Sequence, residues 1–475
     1  MPLVALCMAF PTTACAQNGI GAVVFSQIAT LRIPDSIRLI VTEGWKQPGV
    51  GGARYVFDAS VDRAWIARYP RSSTISANGR GFRLEHNGGD VKQYGATGDG
   101  RTDDTAAINE ALSRGGAVTL SGPGTYHVTD RLVLSVPRTQ LQLGSSVTLH
   151  TSSWRYRGGQ LPFGNAIHIT ANDCEVMGSG PTSVIQNDRS DANGIGFLHC
   201  GGGKVSGIKL IGGKQYISAV TDDTFQSGVS IVNDPASNLE GLPSRTIIED
   251  CTITDWTQYG INIYGSLATD ITLRRNSITR NGRMADRESV GAGVVITRGV
   301  GPVMLDTNTI SENKGPGVFI SSAGVEIRSI TIANNQIVGN GSEGISCSEE
   351  KNFGATGSVG QRDITIRDNK IGHNGAAGIR AGTYDGVGSI SHFVVSGNQI
   401  SDNGGSGVLL QANTDPARGV DAIIKGNQLV TNDDYGIAVG LNSIRLNYRD
   451  NRFTQNRKGD SIDHRSATPR RLSGR

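Results

Sequence analysis

From about residue 245 to residue 456, short apolar residues alternate with polar ones in runs of three to five, as in ITIANNQI and DITIRDNKI. A period of two marks β-strands with one buried face. The runs are too short for helices, and polar or glycine residues break them every few positions, which predicts short strands joined by tight turns. The same phrase returns at intervals of 24 to 34 residues. Asn-x-[Ile/Leu/Phe]-x-x-Asn starts at Asn276, Asn308, Asn335, Asn369, Asn398, Asn427 and Asn451. Its second asparagine falls at Asn281, Asn313, Asn340, Asn374, Asn403, Asn432 and Asn456, and a glycine follows at Gly317, Gly344, Gly378, Gly407 and Gly436. A degenerate copy puts Cys251 and Trp256 in the asparagine places.

Repeats of this length imply stacked units, each supplying two or three strands to a continuous core. Coils pairing in parallel rise about 4.8 Å each, so six steps from Asn276 to Asn451 climb roughly 29 Å. The predicted fold is all-β: a single-stranded right-handed parallel β-helix. The asparagines then have a structural purpose. A side-chain amide at a bend bonds the turn and the amides above and below, at about 1 kcal/mol net per bond. Asparagine also tolerates left-handed backbone angles.

The segment VKQYGATGDGRTDDTAAINEALSRGG, residues 91 to 116, differs in kind. A strand from Val91 to Tyr94 is expected to lead into a glycine-rich turn. A helix opening at Thr102 then presents Ala107, Ile108, Ala111 and Leu112 as an apolar face, a lid for the open end of a solenoid. Asp103 and Asp104 fit the positive end of that helix, and with Asp99 they read as structural. GATGDG-x-TDDT-x-AI, followed by GGAVTLSGPGTYHV with its Gly122-to-Tyr126 turn, resembles the pectate-lyase-like superfamily, which holds rhamnogalacturonase- and epimerase-like proteins and many phage tailspikes. The resemblance covers roughly residues 90 to 456. It implies a polysaccharide lyase, hydrolase or epimerase, and a homotrimer as one arrangement. The Asn-Thr-Asp, Gly-His-Gly and Arg-Ile-Lys motifs of polygalacturonase-type hydrolases and the Asp-Pro-His of alginate epimerases are missing.

The expected layout is a leader at 1–16, a small β module at 17–88, the β-helix at 89–456 with its cap at 91–116, and a basic disordered tail at 457–475. Residues Pro2 to Phe10 are apolar and Ala14-Cys15-Ala16 resembles a cleavage site, which points to a secreted, periplasmic or cell-surface protein. Cleavage would leave four cysteines. Cys174 and Cys200 lie about one coil apart, so buried thiols and a pair both stay open. Net charge is +3 over 475 residues, with no basic aromatic stripe, so nucleic acid is not an expected partner. No apolar run reaches membrane-spanning length. No His/Cys cluster has metal-ligand spacing, so no cofactor is expected, although a calcium ion stays open.

A β-helix works on its outer walls, where insertions interrupt the repeat. The longest insertions carry Arg287, then Glu349, Glu350 and Lys351, then Tyr384 and Asp385. They flank the strand that follows the repeated glycine. Parity sends Asn262, Tyr264, Phe319 and Arg380 outward from that strand, a set suited to sugars: rings to stack, amide to bond, guanidinium to hold a carboxylate. These four, with Tyr384 and Arg287, are the expected substrate-binding residues. The expected catalytic residues are Asp222, Asp223, Glu349, Glu350, Lys351 and Asp385. Hydrolysis needs two carboxyl groups about 5 Å or about 6.5 to 9.5 Å apart. Elimination needs a positioned base and a cation on the uronate, for which Lys351 or Tyr384 with Arg380 would serve. The expected function is processing of an acidic or cell-surface polysaccharide by a lyase or glycosidase. A non-catalytic glycan-binding fibre and an epimerase are the alternatives.

Overall fold

In the computed structural model, residues 19–151, 164–188, 192–213, 226–233, 244–266, 268–283, 291–349, 360–383, 389–411, 419–440 and 445–464 are described. Parallel strands stack into three long walls. Each regular coil supplies one strand to each, for example Val294–Thr297 to a front wall, Val303–Asp306 to a back wall and Thr309–Ser311 to a side wall. Among the described residues the front wall has 12 strands and the other two 13 each. Register is strict across rungs. Ile263, Ile296, Ile320, Cys347, Ala381, Leu410 and Val439 are successive partners facing the core, all fully buried. The fold is the right-handed parallel β-helix that the repeat predicts.

Both asparagine columns are continuous ladders. Asn335 Nδ2 donates to Asn369 Oδ1 at 3.0 Å and to the Leu305 carbonyl at 2.9 Å, while its backbone N–H donates to the same Oδ1 at 2.8 Å. Asn340 does likewise with Asn374 Oδ1 and the Ile310 carbonyl. The degenerate copy fits the scheme: Cys251 and Trp256 cannot donate a side-chain amide, but their N–H groups donate to Asn276 and Asn281 Oδ1, each at 3.1 Å. One expectation is corrected. The left-handed backbone falls not on the asparagines but on the residue before each, including Asp250, Arg275, Thr307, Asn334 and Asp368 at one corner and Glu312, His373 and Thr431 at the other. The asparagines are there for their amides.

The repeated glycines have a packing cause. A Cβ on Gly344 would lie 2.6 Å from Ile371 Cγ2 and 2.9 Å from Asn374 Nδ2 of the next coil. The glycine thus makes room for the ladder and the isoleucine beside it.

The cap is shorter than expected. Val91–Tyr94 is a 3-10 helix rather than a strand, because Asp90 caps it and Gly95 closes it in the left-handed region. The capping helix runs Thr105–Arg114, three residues after Thr102, and buries Ala107, Ile108, Ala111 and Leu112. Asp104 Oδ1 and Oδ2 accept the Thr97 and Gly98 N–H groups, and Asp99 Oδ1 accepts those of Arg101 and Thr102. These carboxylates tie the turn, as expected of cap residues. A five-stranded sheet between Gly19 and Leu84 precedes the cap. At the other end Gly459–Asp463 pairs with Tyr435–Val439 as the last front-wall rung, so ordered coil extends past residue 456 into the expected tail. Cys174 and Cys200 are buried free thiols. The expected leader lies outside the described residues, and no helix among them is long and apolar enough to cross a membrane.

Candidate functional site

Register carries the expected substrate-binding residues onto one surface. Ser230, Asn262, Val295, Phe319, Ser346 and Arg380 are consecutive partners in one column on the outer side of the front wall. Tyr264, Thr297, Ser321 and Ser348 form the neighbouring column. Downward the first column continues through Gly196 to His168. From His168 to Arg380 there are seven rung steps, about 34 Å at ordinary strand spacing.

This face is not an open solvated sheet. Asn262 is 1% exposed, Phe319 5% and Arg380 6%. Phe319 packs with Tyr259, Ala292 and Val295 rather than presenting a free ring. Arg380 is already engaged: Nη1 lies 3.2 Å from Glu343 Oε1, Nε donates to Gln411 Oε1 at 2.7 Å, and Nη2 also bonds that oxygen. The expectation of a guanidinium waiting for a sugar carboxylate is corrected accordingly. Tyr264 is half-buried, and its hydroxyl accepts a 2.7 Å bond from Arg298 Nη1, whose guanidinium lies 5.5 Å from the ring centre.

Glu343, which sequence reasoning missed, supplies a buried carboxyl at this face. It stands directly before the repeated Gly344, where the other coils carry Tyr259, Ala292, Pro316, Ala377, Ser406 and Tyr435. It is the one charged residue in that set, and that was the available signal. Ser342 Oγ donates to its Oε2 at 2.5 Å, and Arg380 holds its Oε1.

None of the expected catalytic residues has a described side chain. Glu349 ends the front-wall strand Ile345–Glu349, in register with Thr383. Asp222, Asp223, Arg287, Glu350, Lys351, Tyr384 and Asp385 lie outside the described residues. Asp255 sits at a corner in ion pairs with Arg280 and Arg283, at 3.1 and 3.2 Å.

Several polar atoms on the face have no hydrogen-bond partner among the described residues while being fully buried: Ser230 Oγ, Asn262 Nδ2, Ser321 Oγ and Ser348 Oγ. Unmade bonds of this kind cost about 1–3 kcal/mol each, so a run of them on one surface calls for a partner such as water or a polar ligand. At the lower end, His168 is 3% exposed, and burial, aided by the Arg131 charge, lowers its pKa to about 4. No group of three or more His, Cys, Asp or Glu residues among those described could hold a metal ion.

These features lie on a known scaffold. Residues 206–386 and 350–470, together more than half of the chain, match the family described as the right handed beta helix region, and the chain belongs to that family. Residues 89–153 match the family described as rhamnogalacturonase A/epimerase, pectate lyase-like. A capsule-specific depolymerase of Klebsiella phage K64-1 is 26% identical over 63% of this chain and 37% of that protein. Mannuronan C5-epimerase AlgE3 of Azotobacter vinelandii is 25% identical over 54% of this chain and 12% of that protein. The chain thus spans well under half the length of either relative. Among solved structures, the Dettilon tailspike protein is similar at 17% identity and TM-score 0.57, over 78% of this chain and 68% of its own. The A-module of Azotobacter vinelandii mannuronan C-5 epimerase AlgE4 is similar at 17% identity and TM-score 0.51, over 81% and 98%.

Proposed function

We propose that this chain is a polysaccharide-cleaving enzyme that works outside the cytoplasm, with the polymer lying along the outer face of the front wall. The observation that carries the reading is the buried Glu343 carboxyl, held by Arg380 at the upper end of a surface lined with unpartnered hydroxyl and amide groups. The capsule depolymerase and the mannuronan epimerase among the relatives support a polymeric sugar as the substrate class.

Within that reading, hydrolysis is favoured over elimination. Elimination requires a cation on the uronate carboxylate, and Arg380 already serves Glu343 and Gln411. Glycoside hydrolysis requires two carboxyl groups across the scissile bond. Glu343 is one, and we assign the second to Glu349, Glu350 or Asp385, which follow it in the sequence. Rungs about 4.8 Å apart give a partner on the adjacent coil the shorter separation. The test is a panel of purified capsular and acidic polysaccharides incubated with the protein. New reducing ends without a conjugated uronate chromophore are expected, and the double variant Glu349→Gln, Glu350→Gln should lose them. The chromophore would show elimination instead. A change of sugar stereochemistry in uncut chains would show epimerisation. Retention of a glycan with no chemical change would reduce the protein to a binding fibre.

A further inference from the structure

At the lower end of the front wall, two groups of the polar lining, Ser230 and Asn262, join His168 in an assembly that the cleavage reading gives no separate role. Its hydrogen bonds fix the direction of two amides, those of Asn193 and Asn165. The Ser227 N–H donates to Asn193 Oδ1 at 2.7 Å, so Asn193 points its Nδ2 the other way. That Nδ2 donates to Asn165 Oδ1 at 2.9 Å, which leaves Asn165 Nδ2 facing His168 Nδ1 at 3.0 Å. An amide nitrogen only donates, so His168 Nδ1 accepts and its proton sits on Nε2. Nε2 has no protein partner among the described residues. Gly196 lies between His168 and Ser230 in the column, and its missing Cβ leaves the space that the Asn165 amide fills. Ser230 Oγ and Asn262 Nδ2, on the next two rungs, are the buried groups without partners.

We propose that His168, Ser230 and Asn262 form an uncharged sugar subsite about 14 Å long at rung spacing, with Asn165 as the positioning residue that keeps the His168 proton on Nε2. The subsite rests on the glycan reading above and adds the chemistry recognised: hydroxyl or acetamido oxygens of a sugar, taken by the His168 Nε2–H, the Ser230 hydroxyl and the Asn262 amide. A neutral imidazole suits this work, since it offers a donor without a charge to desolvate. The low pKa of His168 agrees with that state at neutral pH. These residues stand several coils from Glu343, so they hold the polymer rather than act on the bond that breaks.

The experiment uses the full chain on a printed array of bacterial capsular and O-antigen polysaccharides. His168→Phe removes the donor and keeps a ring; Ser230→Ala removes one hydroxyl and guards against a misfolded first variant. Each, shown to be folded by circular dichroism, should retain the glycan that the wild type retains about five- to tenfold more weakly per folded molecule, the ordinary effect of one lost hydrogen bond. Retention equal to wild type in both variants overturns the subsite and leaves the cleavage reading standing. A wild-type chain that retains and cuts nothing removes both. Nitrogen-15 NMR of the imidazole, without any glycan, should find neutral His168 protonated on Nε2, and Asn165→Ala should mix the two tautomers. A proton on Nδ1 in the wild type overturns the assignment.

Discussion

Arg380 and Glu343 come from adjacent coils, and together they bury a charge pair on the outer face of a sheet: Nη1 and Oε1 are 3.2 Å apart, with side chains 7% and 11% exposed. Such a pair adds little net stability, yet breaking it leaves one charge buried and alone. Arg380→Leu should therefore cost about 3–5 kcal/mol. Arg380→Leu combined with Glu343→Gln should recover a large part of that loss. Urea midpoints of the two proteins test this, and equal midpoints would show that solvent already screens the pair.

The asparagine ladder makes a graded prediction. Asn340 sits mid-stack, and its side chain makes four ladder bonds: Nδ2 donates to Asn374 Oδ1 and to the Ile310 carbonyl, and Oδ1 accepts from the Asn313 N–H and Nδ2. Asn451 is half-buried, and among the described residues no further ladder amide follows it. At about 1 kcal/mol per bond, plus the cost of leaving partners unsatisfied, Asn340→Ala should lose about 3 kcal/mol or more. Asn451→Ala should lose about 1–2 kcal/mol. Equal losses at the two positions would contradict the ladder account.

The left-handed residue before each ladder amide offers the opposite sign. Thr307 holds φ near 57°, which is costly for a β-branched side chain. Gly397 and Gly426 take the equivalent place in later coils at 67° and 65°. Thr307→Gly should stabilise the protein by about 1 kcal/mol, the relief of strain outweighing the added freedom of the unfolded chain. A lower denaturation midpoint in this variant would show that the Thr307 side chain holds contacts worth more than the strain.

The repeat was readable because its amides bond to copies of themselves: a residue that must match its neighbours one coil away leaves a period in the chain. The same holds for the parity that put Asn262, Phe319 and Arg380 in one column. What parity cannot give is burial. An outward position on an isolated strand reads as solvated, and only the assembled face shows Phe319 and Arg380 covered. Glu343 escaped because it lies in the turn, one residue ahead of the strand to which parity was applied. His168 escaped because its coil precedes the asparagine phrase, and NAIHI has neither the repeated glycine nor a ladder amide to mark its register. In the cap, VKQY alternates like a strand, but Asp90 and Gly95 close it as a single turn.

His168 gives the chain an acid-sensitive window. Its pKa is 6.5 in the unfolded chain and about 4 when folded, because burial and the Arg131 charge disfavour the imidazolium. Between these values the unfolded state binds a proton that the native state refuses, so stability is full above pH 6.5 and falls as the pH drops toward 4. The shift corresponds to a loss of up to about 3 kcal/mol. Glu249 acts in the same direction but lower: hydrogen bonding first to Lys204, then Arg274, holds it near 2 against 4.5, so its contribution fades only below that higher value. His168→Gln should flatten the stability curve from pH 6.5 to about 4.5 and leave the steeper fall beneath it. A variant curve parallel to wild type across that window would place the titration elsewhere.

Glu343 is the residue on which the cleavage reading is most exposed. If its carboxyl transfers a proton at the scissile oxygen or activates water, Glu343→Gln removes that step and keeps the shape, the Ser342 neighbour and a bond acceptor for Arg380. Positioned acid–base groups are worth about 10²- to 10⁴-fold in rate. Release of reducing ends should fall by that factor, while glycan retention on the array stays within about twofold, because a group that acts only in the transition state contributes little to ground-state binding. Loss of the charge pair lowers the midpoint in either case, so the rate per folded molecule decides: a purely structural carboxyl would keep that rate at the wild-type value. The two outcomes separate because turnover and unfolding are measured on the same preparation.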